Sequence, residues 1–172
     1  MAELGLLQDA GAVAFTDGTR AIADAKQMRN LLSYSRFLDA LVVQHPEEPS
    51  LAKGACATAS ALAVRLGLPQ VPAAAEAIMI ARDLRLADMT GARLHFAHVS
   101  TAEGLDLIRS AKARGIKVTC DTAPPYFAMT EEDIGDFRTY AKFSPPLRSE
   151  SDRPAVCAAL AAGTMDSVAS DR

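Results

Sequence analysis

The chain has 172 residues, enough for one domain (1–172) with a sizeable core, and its hydrophobic share of 49% and charged share of 23% are ordinary for a soluble globular protein. A net charge of −3 argues against a nucleic-acid or membrane-surface partner, and no apolar run approaches the ~20 residues of a membrane span. Cys56, Cys120 and Cys157 are widely spaced, with no C-x-x-C, and the N-terminus lacks the basic and apolar regions of a secretory signal; both features fit buried thiols in a reducing, cytoplasmic setting.

In chain order, residues 1–10 read as a short helix stopped by Gly11, and residues 12–16 as a short apolar strand followed by Asp17. Asp24 can cap a helix running to about Leu38, with Gln27 three residues on and Met28, Leu31, Leu32, Ser35 and Leu38 near helical spacing. Residues 40–44 form a second strand, ending at His45 and broken by Pro46. Residues 47–59 read as loop, and residues 60–66 as a short helix closed by Gly67. Pro72 opens the longest helix, which Gly91 stops.

Residues 94–98 form the third strand, which ends in His98 and turns at once into a helix over residues 101–114. Ser100 and Glu103 have the spacing of a capping box for that helix. Residues 117–120 make a fourth strand ending at Asp121, followed by a long loop with Pro124, Pro125 and a short helix from Thr130. A helix over residues 151–161 and a fifth strand over residues 167–170, ending at Asp171, complete the order. Strands alternating with helices predict an α/β fold with a parallel sheet, and the short, apolar strands predict burial on both faces.

Each of the five strands ends on a polar group: Asp17, His45, His98, Asp121 and Asp171. If all five strands are parallel these groups share one rim, the face that carries chemistry in barrels and open α/β sheets. Two readings of them stand side by side. Histidines and carboxylates on separate strands suit a zinc-type site with one position open to water. Alternatively, the histidines are satisfied structural groups and the aspartates cap helices. His95 lies three residues before His98, so strand alternation turns it toward the helix layer, where it reads as packing.

Several segments resemble dihydroorotase, in the same order along nearly the whole chain. They are residues 13–18 (VAFTDG), 43–48 (VQHPEE), 67–76 (GLPQVPAAAE), 93–101 (RLHFAHVST), 141–149 (AKFSPPLRS) and 167–171 (SVASD). The similarity is to the bacterial branch that uses an aspartate where relatives use a carbamylated lysine. It implies a (β/α)₈ TIM barrel of the metal-dependent hydrolase type, with zinc as cofactor. The implied reaction is the reversible cyclisation of N-carbamoyl-aspartate to dihydroorotate in pyrimidine synthesis. Carried over by position, Asp17 resembles the metal-bridging aspartate, and His45 and His98 the ligands of one metal. Asp171 resembles the aspartate that contacts metal and shuttles the proton of the attacking water, and Ser144 a substrate-contacting position that is often Asn in the family.

The chain also departs from the family. The first-strand His-x-His motif has no counterpart, Arg172 stands where a histidine follows the last aspartate, and Ala123-Pro-Pro-Tyr126 replaces Thr-Pro-His-His. A complete barrel has eight strands in about 250 residues, whereas five strands are predicted here. The expectation is therefore the part of a barrel from about the fourth strand to the eighth, inactive alone. A non-catalytic scaffold subunit for aspartate transcarbamoylase is the alternative in a different class, and the partner expected is a second copy in a homo-oligomer or aspartate transcarbamoylase. A hydantoinase or allantoinase is disfavoured because those place a lysine where Asp17 stands.

Overall fold

The computed structural model describes residues 2–170. The elements are α1 (Leu4–Asp9), β1 (Ala14–Thr16), α2 (Ala25–Phe37), β2 (Leu41–Gln44), α3 (Pro49–Ala52), β3 (Ala57–Thr58), α4 (Ala61–Leu66), β4 (Gln70–Val71) and α5 (Ala74–Thr90). Then come β5 (Arg93–Phe96), α6 (Ala102–Ala113), β6 (Val118–Thr122), α7 (Pro124–Ala128), α8 (Arg153–Ala161) and β7 (Ser167–Val168), with two short 3₁₀ turns between α7 and α8. No helix among the described residues is long and apolar enough to cross a membrane.

Five strands form one sheet in the order β1-β2-β5-β6-β7, and every neighbouring pair is parallel. The expected five parallel strands are thus present, although the first and second start later than the sequence suggests, the third and fifth end earlier, and the fourth runs on through Asp121 to Thr122. Register divides the side chains between two faces. Phe15, Val42, Leu94 and Val118 align across the sheet, as do Gln44, Phe96 and Cys120 one layer on. Apart from Phe15 at the edge, these residues are buried, and they pack against α2, α5, α6 and α8 around Met28, Leu32, Ile80, Leu105 and Ile108. The alternate row is Thr16, Val43, His95 and Thr119, with Asp121 two residues farther along β6.

The helices begin and end where local chemistry dictates. Asp24 accepts the N–H of Gln27 at 2.7 Å and caps α2. Ser60 caps α4 by accepting the N–H of Ala63 at 3.1 Å. Gly67 and Gly91 close α4 and α5 at φ of 66° and 67°, left-handed values that glycine adopts without a Cβ clash. Beneath the loop that follows β1, the buried carboxylate of Asp83 on α5 accepts from Gln44 Nε2 at 3.0 Å and Arg82 Nε at 2.8 Å. Arg82 and Gln44 then reach up to the main chain of Ile22, fixing the chain between Asp17 and α2.

Four sequence expectations change. Residues 47–59 are not all loop: Glu48 accepts the N–H of Ser50 at 3.1 Å and starts α3, and β3 pairs in parallel with β4 in a separate two-stranded sheet. This small sheet sits over a second apolar cluster of Ala57, Ala63, Ile134, Ala141 and Leu147. The cap of α6 is Thr101, which accepts the N–H of Gly104 at 3.1 Å; Ser100 Oγ instead donates to Glu76 Oε2 at 2.5 Å. The loop after Asp121 holds α7, started by Pro124. Finally, His95 faces away from the helix layer, because its strand neighbours Leu94 and Phe96 occupy that side.

Candidate active site

His45 follows β2 directly, with Pro46 turning the chain away. Its ring is almost fully buried, and Nε2 lies 3.3 Å from Ser144 Oγ and 3.5 Å from Glu47 Oε2. Ser144 also donates to Glu47 Oε2 at 3.1 Å, so the three side chains form a triangle. Burial raises the Glu47 carboxyl, but hydrogen bonding and attraction from His45, followed by Ser144 and the Arg148 charge, outweigh it and leave the group below its usual range.

His98 lies two residues beyond β5, in the left-handed region at φ 59°. The N–H of Ala97 donates to the carbonyl of Gln44 at 3.0 Å and that of Val99 to the carbonyl of Asp121 at 2.9 Å, so this turn stays pinned between β2 and β6. The pinning brings the rings of His98 and His45 to a centroid separation of 6.5 Å, with their planes 61° apart.

Asp121 braces His98 from β6. Its Oδ1 accepts the main-chain N–H of His98 at 2.6 Å and lies 3.3 Å from His98 Nδ1. Its Oδ2 lies 3.0 Å from His95 Nε2, and His95 Nδ1 lies 2.7 Å from Thr119 Oγ1. Burial pushes Asp121 upward, but the hydrogen bonds from His95 and His98 prevail and hold its carboxyl well below the ordinary range. An ionised carboxylate only accepts, so His95 Nε2–H and His98 both donate to it. A carboxylate behind an imidazole is the arrangement that fixes ring orientation in metal sites.

Of the residues singled out from sequence, His45, His98 and Ser144 come together, and Asp121 joins them as a brace. Asp17 is exposed at the end of β1, the strand that pairs with β2. It borders a cavity of about 840 Å³ with Phe15, Ile22 and Asp24, whereas His45 borders one of about 520 Å³ with Arg20, Glu47 and Lys53. Asp171 lies outside the described residues. Among the described residues no three His, Cys, Asp or Glu side chains stand close enough to hold a metal together. By type, the two imidazoles fit a zinc-like ion, and the Asp121 brace fits that use. His95 and Glu47 were not foreseen at the site. Glu47 could have been read from the turn forced by Pro46, but His95 meets Asp121 only through the pairing of β5 with β6.

A protein-family model described as dihydro-orotase-like matches residues 1–104. The dihydroorotase of Desulfotalea psychrophila is 47% identical over 99% of this chain and 41% of its own length. That of Desulforapulum autotrophicum is 45% identical over 99% of this chain and 40% of its own. The chain therefore spans about 40% of the length of the curated relatives it matches. Among solved structures, a D-hydantoinase (dihydropyrimidinase) from Thermus sp. superposes with a TM-score of 0.83 at 25% identity, covering 100% of this chain and 41% of that one. An L-hydantoinase from Arthrobacter aurescens gives 0.83 at 26%, covering 99% and 40%. The described strands and helices are thus part of a TIM-barrel fold of the amidohydrolase type.

Proposed function

The chain belongs to the dihydro-orotase-like family, and from that premise we propose that it supplies two zinc-holding histidines to a cytoplasmic dihydroorotase of pyrimidine synthesis. The reaction is reversible hydrolysis of the ring amide of dihydroorotate to N-carbamoyl-aspartate. The observation that carries this reading is the meeting of His45 and His98, from neighbouring parallel strands, at 6.5 Å on one rim.

When bound, zinc supplies a Lewis acid for the amide oxygen and lowers the pKa of water toward neutrality. His45 and His98 would hold it, and Asp121, against the main-chain N–H and Nδ1 side of His98, would keep that ring turned to present its far nitrogen. Asp17 leaves β1 beside the strand that delivers His45, a placement that supports its use as a further carboxylate donor. Asp171 takes the proton of the attacking water and passes it to the leaving nitrogen. Ser144, next to His45, would contact the substrate.

The test is ring opening by the protein with its natural flanking sequence and added zinc, with N-carbamoyl-aspartate quantified by chromatography. Dihydroorotate is expected to be opened at least ~10-fold faster than hydantoin, the preference of a site built around one substrate's polar groups. The isolated 172-residue chain, which has no first-strand His-x-His, is expected to open neither. Preferential opening of hydantoin, or full activity after zinc is removed, overturns the reading.

A further inference from the structure

A buried ion pair links the turn that carries His98 to the segment whose Ser144 touches His45. Glu76, in the first turn of α5, is fully buried. It accepts the N–H of Ser100 at 3.1 and 3.2 Å and Ser100 Oγ–H at 2.5 Å. It also accepts the N–H of Thr101 at 2.9 Å and Thr101 Oγ1–H at 2.6 Å. These donors lie two and three residues after His98, so one carboxylate holds the turn that aims His98. Nothing else fits in that space: a Cβ on Gly104 would lie 2.9 Å from Glu76 Oε1 and 2.8 Å from Ile80 Cδ1.

Arg148, only 3% exposed, completes the link. Its Nη2 lies 3.6 Å from Glu76 Oε2, Nε donates to Ser100 Oγ at 3.0 Å, and Nη1 lies 3.5 Å from Thr58 Oγ1. Arg148 sits four positions after Ser144, whose hydroxyl touches His45 and Glu47. Leu147 between them is buried in the second apolar cluster, and Tyr126 Oη–H donates to the carbonyl of Pro145 at 2.8 Å. The segment from Ser144 to Arg148 is thus a short strut, with His45 at one end and the Glu76 carboxylate at the other.

Stability alone does not account for this pair. Arg148 Nη2 is buried with no hydrogen-bond partner among the described residues. Removing a guanidinium from water is costly, and apolar replacements of buried pairs are often neutral or stabilising. We propose that Glu76 and Arg148 are positioning residues, a clamp that sets the separation and facing of His45 and His98 without touching either ring. The proposal rests on the reading of those histidines as the metal-holding pair.

The test is metal-free NMR of the imidazole nitrogens in the full chain, followed by cobalt(II) titration. Arg148→Met and Glu76→Gln are expected to shift or broaden the ring signals of both His45 and His98. Arg148→Lys, which keeps the charge but loses the bond from Nε to Ser100, restores them in part. Val156→Ala, which opens the main core at a fully buried position away from the clamp, lowers Tm and leaves the ring signals in place. Cobalt affinity is expected to fall at least ~10-fold in Arg148→Met, the size of effect that support around ligands typically has. If Arg148→Met does not fold, Glu76→Gln, which keeps the side-chain shape, decides. Unchanged ring signals in a folded clamp variant, or equal shifts in Val156→Ala, overturn the proposal. Failure of the wild-type chain to bind cobalt instead counts against the metal reading, and the metal-free ring signals still decide the clamp.

Discussion

His95 Nε2 stands 3.0 Å from Asp121 Oδ2, while the other oxygen of that carboxylate accepts the main-chain N–H of His98 at 2.6 Å. One aspartate therefore couples a histidine in mid-strand to a histidine beyond the strand's end. Because His95 is anchored to Thr119 on its far side, Asp121 has little freedom to turn.

Loss of this brace is expected to show in zinc affinity. His95→Leu touches no proposed ligand, yet it should weaken zinc binding about 10- to 100-fold, as changes behind a ligand do. His98→Ala should abolish binding. Competition with a chromophoric chelator measures both. Equal affinity in His95→Leu and wild type would show that Asp121 holds its position without His95.

Gly104→Ala should destabilise the fold, against the usual trend. Ala is better than Gly in a helix interior by about 1 kcal/mol. Here the added methyl would meet Ile80 Cδ1, Glu76 Oε1 and Thr101 Oγ1, all closer than 3.0 Å. Overpacking of this kind costs roughly 1–3 kcal/mol, so a net loss of about 1 kcal/mol is expected in urea denaturation. A gain would mean that the loop after β5 moves freely.

Asp83 should make stability fall as pH rises through the weakly acidic range. Burial pushes its carboxyl up to about 6, against the Arg82 charge and hydrogen bonds from Arg82 and Gln44. In the unfolded chain an aspartate titrates near ~3.9. Between those values the native state keeps a proton that the unfolded state has released, so stability drops from about pH 4 to about pH 6 and this contribution is flat above. The gap corresponds to roughly 3 kcal/mol. Asp83→Asn carries no such titration, so its stability relative to wild type should rise between about pH 4 and about pH 6 and then hold constant in urea melts. A constant difference across that range would contradict the shift.

Cys120 should be chemically silent in the native chain. It is fully buried, and burial, opposed by the Lys112 charge and reinforced by Asp166 and Asp121, pushes its thiol up to about 12. Cys56 and Cys157 are only partly buried. A disulfide reagent should titrate Cys56 and Cys157 in the folded protein and Cys120 only after denaturation. Rapid labelling of Cys120 would mean that β6 opens readily.

The parallel sheet, the Asp24 cap and the Gly67 and Gly91 stops were legible because each depends on a few neighbouring residues. The facing of His95 was not. Counting three residues back from His98 assumes a strand that runs through both, whereas β5 ends at Phe96 and His98 sits at a positive φ. The cap of α6 was misassigned by one position for a similar reason. Ser100 and Thr101 both carry a hydroxyl, and the choice is made by Glu76, far away in sequence. β3 and β4 escaped notice because two-residue strands carry no periodicity and exist only through each other. At the site, strand-end polarity pointed to His45 and His98. The partners that aim them, Glu76 and Arg148, belong to tertiary structure alone.

The pairing of β2 with β5 also governs how the chain reaches its fold. Leu41 lies opposite Arg93 and Gln44 opposite Phe96, so the centre of the sheet closes only after α3, α4 and the whole of α5 have been synthesised and drawn in. Such non-local joints place parallel sheets among slow-folding architectures, because loop closure must precede any gain from the contacts. Until then Leu41, Val42 and Val43 form a bare apolar strand with unpaired main-chain groups on the side that will meet β5. During biosynthesis this is the interval in which nascent chains are most prone to associate with one another. Recovery from expression should therefore improve at low temperature and low expression rate more than with any substitution on the finished surface.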